Sequence, residues 1–140
     1  MTARADVRSA DGAILEAVLQ AAPIGVIVLD RDLRIARMSL TAESDGPLRA
    51  ADAGRRLFDA WPGVPDDVVA ALHRVACGRA PRVDMRSDSP DWRADRMIIA
   101  AVADPTGGVD HVVWMWTEAF GYRRHLNGVV RSPRRPGRSP

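Results

Sequence analysis

The segment Ala22-Pro-Ile-Gly-Val-Ile-Val-Leu-Asp-Arg-Asp-Leu-Arg-Ile35 decides the fold. Its β-branched run from Ile24 to Leu29 has the composition of a buried strand. Asp30-Arg31-Asp32 supplies a tight turn, because aspartate side chains accept hydrogen bonds from nearby backbone N–H groups. Leu33 to Met38 reads as a second strand, so the segment closes into an antiparallel hairpin. Pro23 ends any helix that precedes it.

Upstream of the hairpin, residues 1–10 are polar and read as a flexible N-terminus. From Asp11 onward, Ile14, Leu15, Val18, Leu19 and Ala22 recur on one face of a predicted helix. Downstream, residues 39–63 read as short helical pieces, broken at Asp45-Gly46-Pro47 and closed by Pro62-Gly63. Residues 65–77 carry the strongest helical pattern. Pro65 suits a first turn, Asp66 and Asp67 complement the N-terminal dipole, and Val68, Leu72, Val75 and Ala76 form the apolar stripe. Gly78 is the expected stop. Three strands follow, at residues 82–88, 92–103 and 109–117, the last two joined by the turn Asp104-Pro-Thr-Gly-Gly108. Two strands before a helical insert and three after it predict an α+β fold, a five-stranded antiparallel sheet with helices on one face.

The final strand also bears on assembly. Val113 and Met115 point to one side of the sheet, and Val112, Trp114 and Trp116 to the other. Both sides are apolar, so the face away from the helices needs a cover, either the helix of residues 11–22 or a second subunit. Leu15, Leu19, Val112, Trp114 and Trp116 are the interface residues expected on this reading.

At 140 residues, with 46% apolar and 27% charged side chains, the chain has the make-up of one globular domain. The division expected is a flexible stretch at 1–10, a folded domain at 11–119 and a tail at 120–140. A single cysteine, Cys77, excludes an internal disulfide and suits a reducing cytoplasm. No apolar run approaches the ~20 residues that span a bilayer, and the N-terminus lacks the apolar stretch of a secretion signal. All 20 basic side chains are arginines. Six of them fall among residues 122–140, where there is no acid. Residues 1–121 hold 14 arginines against 18 acids, a net charge of −4. The basic balance thus belongs to the tail, which has one aromatic, Tyr122, and no stacking platform for single-stranded nucleic acid. It reads as a solvated tail and not as a nucleic-acid site.

Catalytic patterns are absent: there is no Gly-x-Gly-x-x-Gly, phosphate loop or Gly-x-Ser-x-Gly elbow. Asp66–Asp67 is a helix start and not an acid pair. His73 and Cys77 stand four residues apart on one helix, where their side chains can meet, but two ligands do not make a metal site. Trp61, Trp92, Trp114 and Trp116 suit packing or an interface better than a cofactor pocket.

Three places resemble PAS domains: the 22–35 hairpin, the Phe58–Pro62 turn with the helix that runs into Cys77-Gly-Arg-Ala-Pro81, and the closing hairpin from Gly107-Gly108-Val109 to Trp116-Thr-Glu118. The resemblance covers roughly residues 12–118. It is nearest to bacterial modules that precede serine/threonine phosphatase or histidine kinase domains. The chain departs from the pattern at Ser39-Leu40, where the family often has asparagine, and at Trp116, where it often has aspartate. The resemblance implies a signalling module that senses, homodimerises or docks a signalling partner, without catalysis of its own. It implies a ligand position between the sheet and the helices of residues 39–76, walled by Val26, Val28, Leu57, Phe58, Leu72, Val75 and Ile99. Haem-binding relatives place a histidine earlier in the helix than His73, and flavin-binding ones need an Asn-Cys-Arg-Phe-Leu-type motif that this chain lacks. No cofactor is therefore expected. The alternatives carried forward are a sensor that binds haem or another small molecule, and a small pocket enzyme with a buried aspartate as base.

Overall fold

The expected hairpin forms as β1 (Gly25–Asp30) and β2 (Ile35–Met38) in a computed structural model that describes residues 2–21, 23–90 and 92–120. The Asp30 carboxylate accepts the backbone N–H groups of Asp32 and Arg34, each at 2.9 Å, and so fixes the turn. Leu33 at that turn has a positive φ of 61°, a conformation that costs a non-glycine residue about 1 kcal/mol. Its side chain is nonetheless buried.

Helix α1 (Thr2–Ala21) precedes the hairpin and begins well before Asp11. After it come α2 (Leu40–Asp45), a 3-10 turn at Ala50–Asp52, α3 (Leu57–Ala60) and α4 (Asp66–Ala76). The sheet is completed by β3 (Arg82–Asp88), β4 (Arg93–Ala103) and β5 (Val109–Phe120). The strands run in the order β2-β1-β5-β4-β3, antiparallel throughout. The first and last strands in sequence thus meet at the centre, and helices α2 to α4 fill the crossover between β2 and β3. This is the α+β architecture expected. The arginine-rich segment at 121–140, with Tyr122 and His125, lies outside the described residues.

Register settles which side chains face the helices. Ile27 lies opposite Trp114, and Leu29 opposite Val112, and all four are fully buried. Val26 lies opposite Met115, and Val28 opposite Val113, on the other side of the sheet. The helical side is therefore the side of Val112, Trp114 and Trp116. These three belong to the interior and not to an interface between subunits.

The interior is built around four tryptophans. Trp61, Trp92, Trp114 and Trp116 are each at most 5% exposed. Their ring centroids lie 4.9–5.6 Å apart in five contacting pairs. Most pairs are tilted or edge-on, and Trp61 stacks on Trp114 at 24°. Leu48, Leu57, Val68, Leu72, Val75, Met97 and Ile99 close round them.

Such bulk needs room elsewhere, and glycine provides it. A Cβ on Gly25 would stand 2.0 Å from Cε2 of Trp116, so β1 can cross the indole only without a side chain there. Gly46 faces Trp61 less tightly, at 3.1 Å.

The β4–β5 turn is organised by Asp104. Its carboxylate accepts Thr106 Oγ1 at 2.6 Å and the backbone N–H groups of Thr106 and Gly108 at 2.9 Å each. Chiefly through the Thr106 hydroxyl, these bonds hold the carboxyl below its ordinary pKa.

Gly25→Ala is expected to lower Tm by about 10–20 °C, because overpacking this close to a ring costs several kcal/mol. Gly46→Ala should cost only a few degrees, and circular dichroism melts of the two variants test the contrast. A carboxyl with a depressed folded pKa stabilises above its unfolded value, about 3.9, and loses that contribution as pH falls through the folded one. The gap in urea midpoint between the natural chain and Asp104→Ala should therefore be full above about pH 4 and narrow below it.

Candidate functional site

The space between sheet and helices, and the apolar surface on α1 and the outer side of the sheet, both bear on function. The first is held together by Asp45 and Ser39, neither of which the sequence reading singled out as a site residue.

Asp45 ends α2 and is 4% exposed. Its carboxylate Oδ2 accepts the indole N–H of Trp116 at 3.0 Å, and its backbone carbonyl accepts the indole N–H of Trp92 at 3.0 Å. The third sheet indole, on Trp114, donates to the Met97 sulfur at 3.2 Å. One residue thus binds Trp116 of β5 and Trp92, the residue just ahead of β4, to the end of one helix. Burying those N–H groups unpaired would cost about 1–3 kcal/mol each.

Ser39 is fully buried at the head of the same helix. Its Oγ accepts the N–H of Ala42 at 3.1 Å as the α2 cap, accepts the N–H of Val26 at 2.9 Å, and donates to the Ile24 carbonyl at 3.0 Å. Its own N–H bonds to the Val26 carbonyl at 2.8 Å. The helix is thereby fastened to β1 at one end, and to β5 and to Trp92 just ahead of β4 at the other. A serine just before a helical stretch was the available clue to the first fastening. An isolated glycine in the β-branched Gly25 run was the clue to the close approach of Trp116.

The expected ligand wall separates into three groups. Leu57, Leu72, Val75 and Ile99 face the helical side, all at 0% exposure in the packed core. Phe58 is half-buried at the edge of that core and touches the ring of His73, centroids 5.4 Å apart. Val26 and Val28 do not join them, because the β1 register turns both to the outer side of the sheet. The four indoles pack between sheet and helices beside Leu57, Leu72, Val75 and Ile99.

Of the expected interface residues, Leu15 is 41% exposed. Leu19 is buried within the domain, beside Ile35 and Met38. Helix α1 meets the domain at α2 and at the β2 edge, where Glu16 pairs with Arg37. Ile14 and Val18 stay open, at 62% and 46% exposure. On the outer side of the sheet Val28, Ile98, Ala100, Val113 and Met115 are only half-buried. That side includes a cavity of about 300 Å³ against Ile24, Arg96, Ile98 and Met115.

His73 and Cys77 are both exposed and line one groove; the Cys77 thiol donates to the Arg74 carbonyl at 3.5 Å. Among the described residues, no three His, Cys, Asp or Glu side chains gather as a metal site. No helix among them is long and apolar enough to cross a membrane.

The family model of the PAS fold matches residues 19–119. The chain belongs to the PAS family. PAS domains are generally sensory and signalling modules. Solved structures carry the same fold at low identity. A sensory box sensor histidine kinase from Vibrio cholerae superposes with a TM-score of 0.58 at 12% identity, covering 86% of this chain and 98% of that one. The PAS domain of Bordetella pertussis BvgS gives 0.59 at 10% identity, covering 86% and 94%. The Escherichia coli DhaR(N)–DhaL complex gives 0.62 at 14% identity, covering 84% and 38%. No curated protein matches this PAS domain in sequence.

Asp45→Ala should cost about 1–3 kcal/mol and red-shift the tryptophan emission, since it strands the Trp116 donor. Asp45→Asn keeps an acceptor oxygen and should recover most of the loss. Urea unfolding followed by fluorescence distinguishes the two. Ser39→Ala, which removes a cap and a strand contact together, should cost about 1–3 kcal/mol in the same assay.

Proposed function

We propose that this PAS domain is a signalling module that works by association, as a homodimer built on α1 and the outer side of the sheet, with no chemistry of its own. One observation carries the reading. Helix α1 runs over Thr2–Ala21, buries Leu19 against its own domain and leaves Ile14, Leu15 and Val18 in solvent. An amphipathic helix whose stripe is mostly open has little reason to stay folded alone. A second copy supplies the same stripe, and a two-fold axis lets each helix cover the other. The half-covered apolar side of the sheet, with Val28, Ile98, Val113 and Met115, extends that surface.

The packed interior supports an output by rearrangement. The tryptophans give α2 and the sheet one well-defined arrangement, which a rigid body can pass on. The Glu16–Arg37 pair and Leu19 are the contacts through which α1 senses the domain. A partner that favours one pose of α1 over another shifts the population of dimer, and the connected element reads that shift. The surroundings expected are cytoplasmic, consistent with a lone exposed thiol.

Sedimentation velocity on the full chain should give a dimer at micromolar concentration. Ile14→Glu combined with Val18→Glu should raise the dissociation constant by at least about a hundredfold, since four buried apolar side chains are lost per dimer. The melt of the variant should then cease to depend on concentration. A natural chain that sediments as a monomer, or a variant that remains dimeric, overturns the reading.

A further inference from the structure

We propose that the groove between the β1–β2 turn, the head of α3 and the end of α4 binds a small organic monoanion with a planar apolar body, an aryl carboxylate in chemical class. The groove has a volume of about 270 Å³ and draws its lining from three separate segments. Arg31, Asp32 and Leu33 come from the turn, Arg56 and Phe58 from α3 and its cap, and His73, Ala76 and Cys77 from α4.

Its floor is apolar and aromatic. Leu33 is buried, and Phe58 and His73 place their rings 5.4 Å apart at 40°, a platform on which a planar group can lie. Its rim is cationic. Among the described residues, neither Arg31 nor Arg56 takes part in an ion pair, whereas Arg37, Arg55, Arg82 and Arg86 each hold a carboxylate. Arg31 acts only at longer range, on Asp104. Two guanidinium groups and the one carboxylate of Asp32 are the charged groups that line the groove, so its cationic side suits a small anion. A guanidinium offers paired N–H donors to a carboxylate in a fixed fork.

The size restricts the class further. Sites for drug-sized ligands run from about 300 to 1,000 Å³, so this groove admits a single ring with its carboxylate and little more. Inorganic phosphate would satisfy the arginines but leave the aromatic floor wet. The groove lies outside the tryptophan core, so occupancy requires no rearrangement there. A ligand in it would tie the hairpin turn to both helices. The proposal is independent of dimerisation.

The test is a ¹⁵N–¹H titration of the full chain with benzoate, with phosphate as comparator. Saturable shifts centred on residues 31–33, 56–58 and 73–77, and about tenfold weaker binding in Arg56→Gln, are expected. Arg31→Gln should weaken it in the same direction, and serves in its place if Arg56→Gln disturbs the near-ultraviolet circular dichroism. Binding should persist in the Ile14→Glu, Val18→Glu variant, so a failure of the dimer leaves this result readable. Shifts that stay linear with benzoate, a binding constant unmoved by both arginine variants, or phosphate competing as well as benzoate would each overturn the proposal.

Discussion

Everything in this domain is arranged around the need to bury four indoles and pair the N–H groups of those on the sheet. Three of the tryptophans stand on the sheet or at its edge, and the fourth, Trp61, follows α3. Tryptophan contributes more buried area than any other side chain, yet each ring brings a donor that water no longer reaches. Asp45 answers for two of those donors and Met97 for a third. The position of α2 follows from this. The helix must end where Asp45 meets Trp92 and Trp116, and Ser39 must begin it where β1 offers a carbonyl and an N–H. Gly25 is the complement of the same constraint, a strand position emptied so that the Trp116 ring can pass.

This packing bears on function because it fills the space between sheet and helices. Here the indoles pack with Leu57, Leu72, Val75 and Ile99, and among the described residues three features at the surface are open to another molecule. They are an exposed stripe on α1, the outer side of the sheet, and the groove at the turn with its apolar floor and arginine rim. Helix α1 is attached to the domain through few contacts, Leu19 and the Glu16–Arg37 pair among them.

Much of the fold was legible because periodicity and turn chemistry agreed along the chain. The 25–38 hairpin, the helix starting at Asp66 and the three closing strands all follow from local rules. The α1 boundary was not legible, since residues 2–10 are polar and a helix can continue through them without any apolar repeat. The orientation of the sheet was harder still. The last strand is apolar on both sides, so alternation alone cannot say which side meets the helices. Val112, Trp114 and Trp116 therefore read equally well as core or interface until register joined them to Ile27 and Leu29. The same ambiguity put Val26 and Val28 in a pocket wall. Asp45 was invisible for a different reason: its partners lie 47 and 71 residues away, and no local pattern encodes them.

The central claim, a tryptophan-filled domain that acts by pairing with itself, is tested most directly by native mass spectrometry with an absorption spectrum on protein purified without added ligand. The account predicts a species of twice 15.2 kDa with no retained cofactor mass and no visible absorption band. A monomer, or a stoichiometric cofactor mass or chromophore, would contradict it.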